Sequence, residues 1–124
     1  MIGLGVDLVD LDRFAGVLER REHFITRVYT SSERAYCEQA KGTTKRVERY
    51  AVRFAAKEAV MKALGVGLGS FGFHDVEIER AESGEPRLTL RGKAAALAAE
   101  RGAEIWHVAL SHSDNVAVAV VAVE

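Results

Sequence analysis

Residues 2–9 alternate, with Ile2, Leu4, Val6 and Leu8 on one parity and Asp7 on the other, which predicts a strand. From about Asp10 to Arg21 the spacing changes to that of a helix, with Leu11, Phe14, Ala15 and Leu18 as its apolar stripe. "TSSE" at 30–33 has the form of a capping box, Thr30 with Glu33, and opens a second helix to about Lys41. A long helix is predicted over 46–64, with Gly65 in the C′ position. Beyond it, "FHDVEIER" alternates, turns at "ESGEP" and returns through "RLTLR". "GKAAALAAERG" is a short helix stopped by Gly102, and "IWHVALSH" and "NVAVAVVAV" are two strands joined by "SDN". The order strand, three helices, hairpin, helix, hairpin predicts an α+β fold, a largely antiparallel sheet packed against a long buried helix.

Composition narrows the class. A 124-residue chain with 48% hydrophobic residues suits one domain, here 1–124, and no repeat or linker divides it. No apolar run is long enough to span a bilayer, and "MIGLGVDLVD" does not read as a signal peptide. Cys37 is the only cysteine, so an internal disulfide and a thiolate zinc cluster are excluded. A cytoplasmic protein is expected. Seventeen basic against 18 acidic residues leave a net charge of −1, with no global field for nucleic acid, so any bound anion needs a local cluster.

The long helix carries the candidate chemistry. With Phe54 at zero on a wheel of 100° per residue, Val47, Tyr50, Ala51, Met61 and also Glu58 fall within about 60°. Most remaining positions near its end are alanine, valine or leucine, so cover nearly all round is expected. A carboxylate there must be paired, protonated or metal-bound. One reading is an i,i+4 pair with Lys62, worth about 0.3–0.5 kcal/mol if exposed. The other is a site where Asp7 of the first strand meets Glu58. Two facing carboxylates repel, and Mg²⁺ relieves that with oxygen ligands, water and phosphate. Lys57 and Lys62 would supply positive charge for those phosphates.

"GVGLG" at 65–69 follows a helix rather than a strand, so it is no dinucleotide fingerprint; a helix cap with close backbone approach to a ligand is the better reading. "LSHS" at 110–113 puts neighbouring side chains on opposite faces, which argues against a Ser–His catalytic pair. His112 suits a phosphate donor better than a zinc ligand, since the four histidines lack metal-ligand spacing. In 116–120 alanines and valines alternate, which suits either a close-packed oligomer contact or a core strand beside a helix.

Together, "GVDLVDLDR", "RFAAKEAVMKALGVGLG" and "LSHS", in this order over essentially the whole chain, resemble holo-acyl-carrier-protein synthase, the small single-domain type of 4′-phosphopantetheinyl transferase. The resemblance implies transfer of 4′-phosphopantetheine from coenzyme A to a serine of apo-acyl carrier protein, with adenosine 3′,5′-bisphosphate as second product, in fatty acid biosynthesis. It implies Mg²⁺ on Asp7 and Glu58, with Lys62 completing the catalytic set. It further implies a homotrimer with coenzyme A between subunits, near Arg53, Lys57, Lys62, Gly65 and His112. Phosphoryl transfer of this kind needs positioning and charge stabilisation more than covalent chemistry. Glu58, directly or through a metal-bound water, is the candidate base, and Asp7 through such a water is the competing assignment.

The carrier protein is acidic, and the resemblance places it on the first helix. Arg13 and Arg20, seven apart, share a face opposite the apolar stripe, with Gly16 and Val17 between them and Arg21 nearby. An ordinary solvated face is the plainer reading of those residues alone. Two other classes compete with the enzyme: a coenzyme A or nucleotide-binding subunit without catalysis, and an adaptor using the Arg13–Arg20 face. Neither explains the charges within the long helix.

Overall fold

The computed structural model describes residues 2–124 and is α+β. In chain order it contains β1 (Gly3–Asp10), α1 (Leu11–Arg20), α2 (Phe24–Val28), α3 (Ser31–Glu38) and α4 (Thr43–Ala63). A 3₁₀ turn at Phe73–Asp75, β2 (Val76–Arg80), β3 (Pro86–Leu90), α5 (Gly92–Glu100), β4 (Trp106–His112) and β5 (Val116–Val123) follow. The expected antiparallel sheet is present as two sheets, β1-β5-β4 and the β2-β3 hairpin. The five-residue α2 is too short for one apolar period and escaped the pattern. The strand expected from Phe73 begins at Val76, after the 3₁₀ turn.

Local signals account for most boundaries. Asp10 caps α1 by accepting from the Arg13 N–H at 2.9 Å. Thr30 and Glu33 form the anticipated capping box at the start of α3. Gly65 follows α4 with φ +71°, the left-handed conformation of a helix C′ glycine.

α4 lies at the centre, buried on nearly all sides as the wheel predicted. Around its N-terminal half pack Leu11, Phe14, Val28, Tyr29 and Cys37; around its C-terminal half pack Phe71, Val76, Ile78, Ala94 and Ala98. Ala117 and Ala119 of β5 are fully buried within these same clusters. The small-residue face of β5 therefore serves the core beside the helix, not an oligomer contact. Among the described residues, no helix is long and apolar enough to cross a membrane.

β1 meets α4 backbone against backbone. A Cβ on Gly3 would lie 1.9 Å from the Ala63 carbonyl oxygen, and one on Gly5 would lie 2.0 Å from that of Ala59. Only glycine fits. The apolar parity of the strand consequently points outward, leaving Leu4, Val6 and Leu8 53–62% exposed, while Gly3, Gly5, Asp7 and Val9 form the other parity. Asp7 is thus delivered to the sheet–helix interface. Replacing Gly5 by Ala is expected to push β1 off the helix and lower stability by about 3 kcal/mol, which urea denaturation would measure; a loss below ~0.5 kcal/mol would show that the strand accommodates a side chain.

Candidate active site

At the open end of this interface, β1 brings Asp7 and α4 brings Glu58 and Lys62. The Lys62 ammonium donates to Asp7 Oδ1 at 3.0 Å and to the Val6 carbonyl at 2.9 Å, although its side chain is 54% exposed. Glu58 is half-buried and has no ion pair among the described residues, so the i,i+4 Glu58–Lys62 bridge is not formed. Burial raises the Glu58 pKa above the ordinary glutamate value; the charge of Asp7 raises it further, and Lys62 opposes both. The two carboxylates therefore act on one another, and a lysine alone compensates them.

No third His, Cys, Asp or Glu joins them among the described residues. Two carboxylates beside open space do not make a zinc or calcium cage. They do fit Mg²⁺, whose remaining positions are commonly filled by water and substrate phosphate.

Lys57 departs from the expectation that it serves phosphate. Its side chain is fully buried, pairs with Glu33 at 2.9 Å and donates to the carbonyls of Phe73 and Val76. Three donors thus meet three acceptors, and the ammonium is committed to the core. Burial pulls its pKa down, with Glu33 acting in the opposite sense. Glu33 in turn accepts from the backbone N–H groups of Thr30 and Ile78. The adjoining Glu77 accepts from Thr30, Ser32 and Arg91; burial raises its pKa, but these bonds outweigh it and hold the carboxyl at about 2. Lys57 therefore ties α4 to α3 and the hairpin.

Arg53 and His112 come together on the other side of α4, lining a cavity of about 420 Å³ with Lys45, Arg49 and Arg80. The sequence reading missed these last three, and also Tyr36, which lines the same cavity. Only the i,i+4 spacing of Arg49 and Arg53 hinted at them, since the rest arrive from α3, the start of α4 and β2. Glu48 is the cavity's one carboxylate among the described residues, 3.4 Å from His112. Gly65 is exposed at the end of α4, on the same stretch as Lys62.

On α1, Arg13 and Arg20 are exposed, as is Arg21 at its C-cap. A Cβ on Gly16 would lie 2.8 Å from Arg20 Nη1, so this guanidinium folds across the glycine. A small depression lined by Arg21, Glu22, His23, Phe24 and Arg27 adjoins, and Arg27 is a basic residue the pattern had not singled out.

A family model described as 4′-phosphopantetheinyl transferase superfamily matches residues 3–121. A holo-[acyl-carrier-protein] synthase of Gloeobacter violaceus is 46% identical, over 97% of this chain and 90% of the relative. One of Koribacter versatilis is 42% identical, over 100% of this chain and 98% of the relative. Among solved structures, Neisseria meningitidis holo-[acyl-carrier-protein] synthase superposes with a TM-score of 0.87 at 30% identity, covering 100% of this chain and 99% of that one. The Helicobacter pylori synthase in complex with coenzyme A gives 0.83 at 28% identity, covering 98% and 99%.

Two outcomes follow from the electrostatics. Lys57→Met should cost about 3–5 kcal/mol in chemical denaturation because it strands Glu33 in the core, and combining it with Glu33→Gln should cost less than the sum. Glu58 has a raised pKa in the fold, so its ionisation works against folding as pH rises through that pKa. Metal-free Glu58→Gln should therefore melt higher than the parent at pH 7.5, with the difference shrinking at pH 4; equal differences at both values would contradict the raised pKa.

Proposed function

The chain belongs to the holo-acyl-carrier-protein synthase enzymes of the 4′-phosphopantetheinyl transferase superfamily, and from that premise we propose that it transfers 4′-phosphopantetheine from coenzyme A to a serine of apo-acyl carrier protein. The observation that carries the reading is the meeting of Asp7, Glu58 and Lys62 at the end of α4. Residues 1–124 act as one catalytic domain, in fatty acid biosynthesis. A cytoplasmic setting suits the buried, unpaired Cys37.

Asp7 and Glu58 would hold Mg²⁺, which when bound neutralises charge on the coenzyme A diphosphate. Lys62 stands at Asp7 and is exposed enough to turn toward a phosphate and stabilise the leaving bisphosphate. The attacking serine must lose a proton. Glu58, beside Asp7 at the end of α4, is assigned as the group that accepts it. Arg53 and His112 receive the nucleotide end in the cavity they line. Gly65 leaves backbone accessible beside Lys62. Lys57 acts at one remove, by fixing the helix that carries Glu58.

Arg13, Arg20 and Arg21 receive the acidic face of the carrier protein, a role supported by their exposure along the molecule's first helix and at its C-cap. The outward face of the three-stranded sheet supports self-association, as a homotrimer: Leu4, Val6, Leu8 and Val120 are exposed and contiguous across paired strands.

The decisive experiment is intact-mass spectrometry of an apo-acyl carrier protein incubated with this protein, coenzyme A and Mg²⁺. A gain of one phosphopantetheine, abolished by EDTA, is expected. Glu58→Gln should lower turnover by at least about 100-fold while the protein stays folded. Coenzyme A binding with no mass gain would instead identify a non-catalytic binding subunit.

A further inference from the structure

The middle of α1 carries a residue that a helix ordinarily avoids. Gly16 is the sixth of the ten residues of Leu11–Arg20, and glycine is the least favourable interior helix residue after proline. It is not among the glycines with positive φ, so no left-handed conformation demands it. Core packing does not demand it either. Leu11 and Phe14 are the buried residues of α1, whereas Gly16 lies on the outward face, three positions after Arg13 and four before Arg20.

What uses the missing side chain is Arg20. The three heavy atoms nearest to a Cβ on Gly16 all belong to that guanidinium, Nη1 at 2.8 Å, Cζ at 3.5 Å and Nη2 at 3.7 Å. The group therefore lies flat across bare backbone, and Gly16 is only partly exposed on an open face. An alanine methyl group would sit well inside van der Waals contact with Nη1. Because the arginine stem is flexible, the guanidinium would lift and the helix would stay. Among the described residues neither Arg13 nor Arg20 forms an ion pair, although Asp12 and Glu19 are close in sequence. The fork of Arg20 is thus held in place with its charge unanswered. A guanidinium placed in advance loses less freedom when it meets a carboxylate.

We propose that Gly16 is a positioning residue for docking of the acidic carrier protein: it gives Arg20 bare backbone to lie on and so sets the guanidinium flat for a carboxylate of the partner. The inference rests on the proposed function for the identity of that partner. Helix stability is given up for recognition at this position. One substitution should therefore move stability and partner binding in opposite directions.

Binding of a fluorescently labelled apo-acyl carrier protein would be measured by anisotropy, with thermal melting of each variant beside it. Gly16→Ala should raise the melting temperature by about 2–4 °C and weaken carrier binding roughly fivefold. In the transfer assay its KM for the carrier protein should rise by a similar factor, with kcat within about twofold of the parent. Arg20→Ala should weaken binding on the order of tenfold. Adding Gly16→Ala to it should cost nothing further, since the glycine acts through the arginine. Additive losses would overturn the positioning role and make Gly16 a gap that the partner fills directly. Carrier binding untouched by Gly16→Ala, or absent in the parent, would overturn it as well. The transfer assay is separate: these binding effects without transfer by the parent would sink the transferase reading and uphold the role of Gly16.

Discussion

The contact between the backbone of β1 and the backbone of α4 governs what the rest of the molecule is able to do. Two residues of strand rise about 6.7 Å, close to the 6.0 Å of an i,i+4 step along a helix. Gly3 over Ala63 and Gly5 over Ala59 follow that match. Asp7 continues the same parity. The column of Glu58 and Lys62 lies about 60–100° round the helix from Ala55, Ala59 and Ala63, alongside the strand. A strand held at side-chain distance would carry its carboxylate several ångströms away from Lys62.

This contact reverses the ordinary arrangement of an amphipathic strand. Gly3 and Gly5 bury no side-chain area, while the larger residues Leu4, Val6 and Leu8 remain exposed. Hydrophobic burial within one chain is sacrificed to position a carboxylate. The surface left behind is flat, apolar and continuous with Val120, the kind of face that a second copy of the chain would recover by covering it. Site geometry and the exposed apolar face therefore have a common origin in two glycines.

Much of this was legible in the sequence. The helical spacing from about Asp10, the capping box at Thr30, the stop at Gly65 and the two C-terminal strands are local signals, and the elements they predict are present. The parity of Asp7 was legible from the alternation; its meeting with Glu58 was one of two readings of that carboxylate, and the fold selects it over the i,i+4 pair with Lys62. Three things were not. The five-residue α2 is shorter than the period that would reveal it. The partner of Lys57 is Glu33, 24 positions away on a different helix, so a wheel drawn on α4 alone could not tell a core lysine from a ligand-facing one. The cavity draws on α3, α4, β2, β3 and β4; beyond Arg53 and His112 its charged residues belong to no motif and looked like ordinary surface charge.

The four charges in the second half of α4 show how one covered helix divides its labour. Lys57 is fully matched, by a carboxylate and two carbonyls, and spends its interactions on joining α4 to α3 and the hairpin. Lys62 is satisfied by Asp7 but exposed, hence able to move. Glu58 and Arg53 are the unmatched pair: a half-buried carboxylate with its pKa pushed up, and a buried guanidinium with an idle Nε. A protein selected for stability alone would have replaced both with alanine, as at the positions around them. Their electrostatic cost is recovered only when a cation reaches one and an anion the other. Under the proposed function, coenzyme A with a divalent metal would supply both charges at once, and the two unmatched residues on one helix suit a ligand of that character.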